Sequence, residues 1–211
     1  MKTIRLECVD STHTYLKEYI KNHEETNSIC IVTDMQTNGI GSRGNSWSGE
    51  KGNLFFSFSV KKNSLPTDLA LQSISIYFSF ILKKTLEEYG SKVWLKWPND
   101  FYIEDKKIGG TITTASKDNI LCGIGLNMVS NCQEYGLLDI TVSQDELLKS
   151  YLENIEKKIS WQDVFSEYVI EFQRSKKFQA TIHGKKVSLE ESTLNNDGSI
   201  EINNEKVFSL R

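Results

Sequence analysis

Apolar positions along the chain recur with two periods, and the switches between them outline the elements. Ile4-Arg5-Leu6 reads as a short strand, and Ser11 or Thr12 then caps a helix in which Tyr15, Leu16, Tyr19 and Ile20 fall at helical spacing. Ile29-Cys30-Ile31-Val32 is a strand-like run. Residues 34–52 show no hydrophobic period and are expected to form a long loop. Structureless loops beyond about 12 to 15 residues in a compact domain are usually functional or disordered. Residues 54–60 read as a strand, and Thr67 or Asp68 is expected to cap a long helix through Leu71, Ile74, Phe78, Ile81 and Leu82 that Gly90 ends. Residues 93–97 form a strand stopped by Pro98, 101–103 and 108–114 a hairpin, and 119–129 another long strand. Ser143 with Glu146 makes a capping box, and Ser160 starts a second helix that runs to about Phe172.

Beyond Gln173 the texture changes to short alternating runs at 178–183, 186–193, 199–202 and 206–210, separated by His183-Gly184 and Asn195-Asn196-Asp197-Gly198 turns. The expected organisation is therefore a large unit, 1–174, followed by a small β appendage, 175–211.

Charge and composition remove several classes of function. With 25 Lys and Arg against 28 Asp and Glu, the net charge of -3 offers no global field for phosphate backbones or anionic lipid. No nucleic acid and no membrane are expected as partners. No apolar run reaches the ~18 residues that span a bilayer, and Lys2, Arg5 and Glu7 stand where a signal peptide would be apolar, so a cytoplasmic location is expected. The four cysteines, Cys8, Cys30, Cys122 and Cys132, form no CxxC pair, and Cys30 and Cys122 lie in apolar runs as small hydrophobes. No metal ligands are assigned.

Four segments carry candidate chemistry. The stretch Gln36-Thr37-Asn38-Gly39-Ile40-Gly41-Ser42-Arg43-Gly44-Asn45-Ser46-Trp47 supplies glycines whose amides can face an anion, a cation in Arg43 and an aromatic plane in Trp47. It is neither a Walker A nor a Rossmann fingerprint, and an ordinary surface loop explains it as well. Lys96-Trp97-Pro98-Asn99-Asp100 places a polar pair just beyond a strand end, where ligand groups are often presented, though a core Trp97 followed by an Asn-Asp turn has the same pattern. Lys107 enters a strand that continues Ile108-Gly109-Gly110, where two glycines imply a close approach to the backbone. In Cys122-Gly123-Ile124-Gly125-Leu126-Asn127-Met128, alternation puts Cys122, Ile124, Leu126 and Met128 on one apolar face. The other face is then Gly123, Gly125 and Asn127, a bare floor ending in one directional polar group, which suits a flat ligand.

Taken in order, these segments and Asp10-Ser11-Thr12-His13 resemble a biotin protein ligase over residues 1–172, with the β appendage similar to a shortened form of that family's C-terminal barrel. The resemblance implies an α/β (α+β) fold class, a mixed sheet flanked by helices that forms a catalytic domain akin to class II synthetases and lipoate ligases. It also implies a type lacking an N-terminal DNA-binding domain, since the motifs begin at Asp10. The implied reaction joins biotin and MgATP into biotinyl-5'-adenylate, with ATP, Mg²⁺ and biotin bound as substrates. Biotin then passes to a lysine of the biotin carboxyl carrier protein of acetyl-CoA carboxylase; the enzyme would be a monomer or homodimer.

Carried over by position, Ser11, Thr12, His13, Gln36, Gly39, Ile40, Gly41, Ser42, Gly110, Gly123 and Gly125 would surround biotin. Lys107 would meet its carboxylate and then the adenylate phosphate, with Arg43 as the second catalytic cation. Arg43, Gly44, Trp47, Asn99, Asp100, Asn127 and Arg211 would hold the nucleotide. The family loop usually carries more arginines; here Ile40, Ser42 and Asn45 stand at three of those positions, and His13 replaces the usual Asn. Two alternatives stay open, an octanoyl or lipoyl ligase of the same superfold and a catalytically weak biotin-binding module.

Overall fold

The computed structural model describes residues 1–23, 28–41, 46–49, 51–129 and 135–208. Seven strands form the central sheet: β1 (Lys2–Arg5), β2 (Ile29–Thr33), β5 (Leu54–Lys61), β6 (Trp94–Lys96), β7 (Asp100–Ile103), β8 (Lys106–Ala115) and β9 (Asn119–Leu126). Their order is β1-β2-β5-β9-β8-β7-β6, with β1 parallel to β2 and every other pair antiparallel. This is the mixed α/β sheet that the resemblance implies, and it is mostly antiparallel.

The sheet has two unlike faces because side chains alternate along each strand. One face carries Cys30, Val32, Phe56, Phe58, Cys122 and Ile124 into the main apolar core. It is covered by helices α2 (Ile74–Glu88), α3 (Gln144–Glu156) and α4 (Trp161–Ser175), which contribute Phe78, Leu82, Tyr151, Val164, Tyr168 and Phe172. Burial of these side chains contributes roughly 1.5 to 3 kcal/mol each, so this layer is what holds the sheet flat against the helices. The other face is only partly covered: helix α1 (Thr12–His23) packs Leu16 on Ile29, Ile31 and Leu121, leaving the middle of the sheet open.

Local capping signals are realised where expected for the last two helices. Ser143 Oγ accepts from the Glu146 amide and Ser160 Oγ from the Asp163 amide. Gly90, at φ +90, ends the turn after α2. Cys30 and Cys122 are buried free thiols, and burial pushes the Cys30 thiol up to about 12.

Three expectations need correction. Residues 34–52 are not one long loop, because β3 (Gln36–Ile40) and β4 (Ser46–Gly49) pair there, Gly39 opposite Trp47. Backbone pairing needs no apolar alternation, so a polar hairpin hides from a hydrophobicity reading. Neither Thr67 nor Asp68 caps α2. That helix begins at Ile74 after a 3₁₀ turn, Leu71–Ser73, and Asp68 instead accepts from the Gln162 amide at the start of α4. Finally, β9 stops at Leu126, not Val129.

The C-terminal part forms two small sheets, β10 (Gln179–Ile182) with β11 (Lys185–Ser188), and β12 (Thr193–Leu194), β13 (Ile200–Ile202) and β14 (Glu205–Val207). Ala180, Ile182, Leu189, Ile200 and Ile202 join the main core rather than a separate one. Trp97 Nε1 donates to Gly198 O at 2.9 Å and Trp161 Nε1 to Asn196 O at 2.8 Å, so two buried indoles tie this region to the sheet and α4. Phe178 also packs on Trp94 and Tyr102 at the β6–β7 end of the open face.

Candidate active site

A cleft of about 460 Å³, counted to its open mouth, lies on the uncovered face. Its floor is β8 beside β9, with Gly110 opposite Gly125 and Ile112 opposite Gly123. A Cβ on Gly123 would come within 3.0 Å of Ser57 Oγ and 3.2 Å of His13 Nδ1, and one on Gly125 within 2.9 Å of Trp47 Nε1. The glycines therefore keep the floor low enough for other groups to lie across it.

One wall is polar and cross-braced. Ser11 and Thr12 open α1, with Ser11 Oγ accepting from the Thr14 amide at 3.4 Å. The Thr12 amide and hydroxyl both donate to Gln36 Oε1, at 2.8 and 3.1 Å, and Thr12 Oγ1 lies 2.9 Å from Ser57 Oγ. This fixes the Gln36 carboxamide with its Nε2 end over Gly39, where a Cβ would sit only 2.8 Å away. Gly39 thus serves the β3–β4 hairpin and does not itself line the cleft.

The opposite end is charged. Lys107 Nζ lies 2.6 Å from Asp100 Oδ1, and Lys96 Nζ lies 3.7 Å from Asp100 Oδ2. Lys107 reaches this cluster through a bulge: Phe101 faces Gly109 while the next residue, Tyr102, faces Lys107, so Ile108 is skipped. Without that extra residue, alternation from Gly110 would send Lys107 to the helix side. Desolvation by burial is the largest influence on the Lys96 ammonium and lowers its pKa; Asp100 acts upward, whereas Lys107 and Lys186 act downward. Two cations around one carboxylate leave net positive charge at this end, which suits an anion.

Two buried polar atoms at the cleft have no hydrogen-bond partner among the described residues, Trp47 Nε1 and His13 Nδ1. The Trp47 ring lies with Lys107 Nζ 5.4 Å from its centroid, bridging the glycine floor and the charged end. His13 Nε2 bonds Thr114 Oγ1 at 3.0 Å, and burial, assisted by Lys17, lowers its pKa to about 4, so the ring is neutral at pH 7. Buried polar groups are normally paired, so both atoms are available to a polar ligand.

Most sequence-derived candidates converge here. Ser11, Thr12, His13, Gln36, Ile40, Gly41, Trp47, Asn99, Asp100, Lys107, Gly110, Gly123 and Gly125 all line the cleft. Asn127 does not. Because β9 ends one residue earlier, alternation does not extend to it. Its amide donates to Ile108 O at 2.7 Å, its carbonyl accepts from Leu138 at 2.8 Å, and its side chain donates to Gly136 O at 3.3 Å. Ser42, Arg43, Gly44 and Arg211 lie outside the described residues. Ser57, Thr111, Ile112 and Ile124 also line the cleft. Ser57 was legible as the polar interruption in Phe55-Phe56-Ser57-Phe58, but nothing in the sequence said which face it served.

Among the described residues no three His, Cys, Asp or Glu side chains gather to hold a metal. Asp100, the carboxylate of the described cleft lining, is already paired by two lysines. A Mg²⁺ ion at this site therefore fits as part of a MgATP substrate, held mainly by phosphate and water. No described helix is long and apolar enough to cross a membrane.

The match of residues 6–128 to the biotin/lipoate A/B protein ligase family gives this arrangement its class, and the chain belongs to that family. Among solved structures it is similar to the biotin acetyl coenzyme A carboxylase synthetase of Helicobacter pylori, determined with bound biotinylated ATP, at 41% identity and a TM-score of 0.94 over 98% of this chain and 99% of that one. The Aquifex aeolicus biotin protein ligase, solved with biotin and ATP, shares the fold at 24% identity and a TM-score of 0.78, covering 100% of this chain and 98% of that one. The bifunctional ligase/repressor BirA of Escherichia coli is 32% identical over 130 residues, 58% of this chain but 39% of BirA. The chain thus matches about two fifths of the length of that relative.

Proposed function

We propose that this chain activates biotin with MgATP to biotinyl-5'-AMP and transfers the biotinyl group to one lysine of the biotin carboxyl carrier protein of acetyl-CoA carboxylase. The observation that carries this reading is the continuity of the cleft: a glycine floor braced by Ser11, Thr12 and Gln36 leads without a break to Lys107, Asp100 and Lys96. The polar wall suits a ureido ring better than the all-apolar tunnel an octanoyl or lipoyl chain would need. The relative of Helicobacter pylori with biotinylated ATP supports the same choice.

Adenylation brings two anions together, since a carboxylate oxygen attacks the α-phosphorus while the bond to pyrophosphate breaks. The protein's task is to align them and offset their charge, without a protein nucleophile. Lys107 is placed for this, at the boundary of floor and cluster, 3.5 Å from where a Gly110 Cβ would stand. Asp100 orients Lys107, and Trp47 and Asn99 stand beside the nucleotide end. In the second half-reaction the acceptor amine attacks the acyl carbon, an amide forms, AMP leaves and the amine's proton passes to solvent. In this reading residues 1–174 carry the chemistry, 175–211 form the small β appendage, and the protein works in the cytoplasm. The test is pyrophosphate release by the purified chain: it should require biotin and ATP together, compete poorly with lipoate, and yield a biotinylated carrier domain. Release indifferent to biotin would overturn the proposal.

A further inference from the structure

We propose that Glu171 and Ser175 of α4 are positioning residues for the adenylation step: they close the outer edge of β6 and so fix where Lys96 and Asp100 hold Lys107 against the reacting anions. The inference rests on the ligase reading above.

Strand β6 ends the central sheet, and among the described residues no strand lies beyond it. Its ladder with β7 sets Leu95 opposite Phe101 and Lys96 opposite Asp100. Alternate amides of an edge strand turn away from the ladder, and here those are the amides of Leu95 and Trp97. Both residues are fully buried, so water cannot stand in for a missing strand. Helix α4 supplies the acceptors instead. The Leu95 amide donates to Glu171 Oε2 at 3.1 Å and the Trp97 amide to Ser175 Oγ at 2.9 Å. The spacings match: four residues of helix rise about 6 Å and two residues of strand about 6.7 Å, so one helix face serves successive outward amides.

Glu171 is itself held in place. Its other carboxylate oxygen lies 3.3 Å from Lys83 Nζ, which is 2.9 Å from Glu87 Oε1. Lys83 is buried on α2, so the Glu171 carboxylate bridges α2 and β6 with both oxygens engaged. A buried charge is tolerated only when paired, which ties the orientation of Glu171 to the helix layer.

The consequence falls on the charged end of the cleft. Lys96 lies between the two capped amides, its Nζ 3.7 Å from Asp100 Oδ2, while Asp100 Oδ1 lies 2.6 Å from Lys107 Nζ. With its outer amides released, this three-residue strand would be held by β7 alone, and Lys96 and Asp100 would shift together with Lys107. The polar wall at the other end is braced by bonds of its own among Thr12, Gln36 and Ser57. Loss of the edge caps therefore separates the rate of adenylation from the affinity for biotin.

The experiment compares wild type with Glu171→Met, which keeps the length of the side chain and removes the acceptor, and with Glu171→Gln, which keeps an acceptor while Lys83 retains Glu87. Single-turnover adenylate formation, measured well below each melting point, is expected to slow by about tenfold or more in Glu171→Met, as misplacement of a catalytic group by a fraction of an ångström does. Biotin affinity by calorimetry should stay at the wild-type value, the Leu95 and Trp97 amides should exchange faster, and Glu171→Gln should recover most of the rate. A purely stabilising role would lower the melting point and leave the rate alone. A wild-type rate in Glu171→Met overturns the proposal. So does a Glu171→Gln rate as low as that of Glu171→Met, or a loss of biotin affinity as large as the loss of rate. Should Glu171→Met fail to fold, Ser175→Ala must show the same split, and a wild-type rate there overturns the proposal equally. Absence of biotin-dependent adenylate formation in wild type would refute the ligase reading instead, while amide exchange at Leu95 and Trp97 reads the edge without any reaction, so the two failures are distinguishable.

Discussion

Gly109 and Gly125 lie on adjacent strands one rung apart, yet adding one methyl to each should damage different properties. A Cβ on Gly109 would lie 2.5 Å from the backbone oxygen of Gly125, 3.1 Å from Leu126 Cδ1 and 3.2 Å from Phe101 Cδ2. The first of these is held in the β8–β9 ladder and cannot swing away, so the strands must separate. Overpacking of this kind costs about 1 to 3 kcal/mol. For a chain of this size each kcal/mol lowers the melting point by about 2 to 4 °C. A Cβ on Gly125 would lie 2.9 Å from Trp47 Nε1 and 3.4 Å from Phe55 Cδ1. Trp47 Nε1 has no hydrogen bond to lose among the described residues, so the indole can shift by a few tenths of an ångström at little cost to the fold. The methyl then stands on the floor where the ligand is to lie. One misplaced methylene in a pocket is worth about 1 to 3 kcal/mol, or roughly 10- to 200-fold in discrimination. Gly125→Ala should therefore melt within about 2 °C of wild type and bind biotin at least tenfold more weakly by calorimetry, whereas Gly109→Ala should melt several degrees lower. If Gly125→Ala melts as low as Gly109→Ala and keeps biotin affinity within twofold, the glycine floor is a packing feature and not a binding one.

Three further outcomes are expected. Lys107→Ala should slow single-turnover adenylate formation by ~10²-fold or more, as loss of a donor aimed at transition-state charge does, while moving stability little because its pair with Asp100 is partly exposed and Lys96 remains; an unchanged rate would remove Lys107 from the chemistry. His13 is held neutral with a pKa near 4, below its unfolded value of about 6.5, so the unfolded chain takes up the proton first and stability falls as pH drops from 6.5 towards 4. The loss is at most about 3 kcal/mol, and urea midpoints at pH 4.5 and 7 should differ less in His13→Asn than in wild type; equal differences would show that another group titrates. Ser42→Arg, which restores a guanidinium the family loop usually has, should slow adenylate release by about 10- to 100-fold, since a charge-assisted hydrogen bond is worth ~1.5 to 3 kcal/mol. Equal bystander labelling by the two proteins would refute that.

What could be read from the sequence was what short range decides. The caps at Ser143 and Ser160 satisfy amides three residues away, and the two thiols lie in runs too apolar to face water. The bare face of Gly123 and Gly125 follows from alternation alone, whereas most of the other lining residues were legible through the short motifs that carry the family resemblance. What escaped depends on partners far along the chain. The β3–β4 pairing uses backbone groups and leaves no mark on side-chain polarity. Asp68 has the look of a cap for the helix that follows it, but the amide it reaches belongs to Gln162. Asn127 is lost to the cleft because its side chain donates to Gly136 O, and Lys107 faces the cleft only because Ile108 is skipped against β7. Periodicity names the residues that can share a face; the register of a non-local ladder decides which face it is.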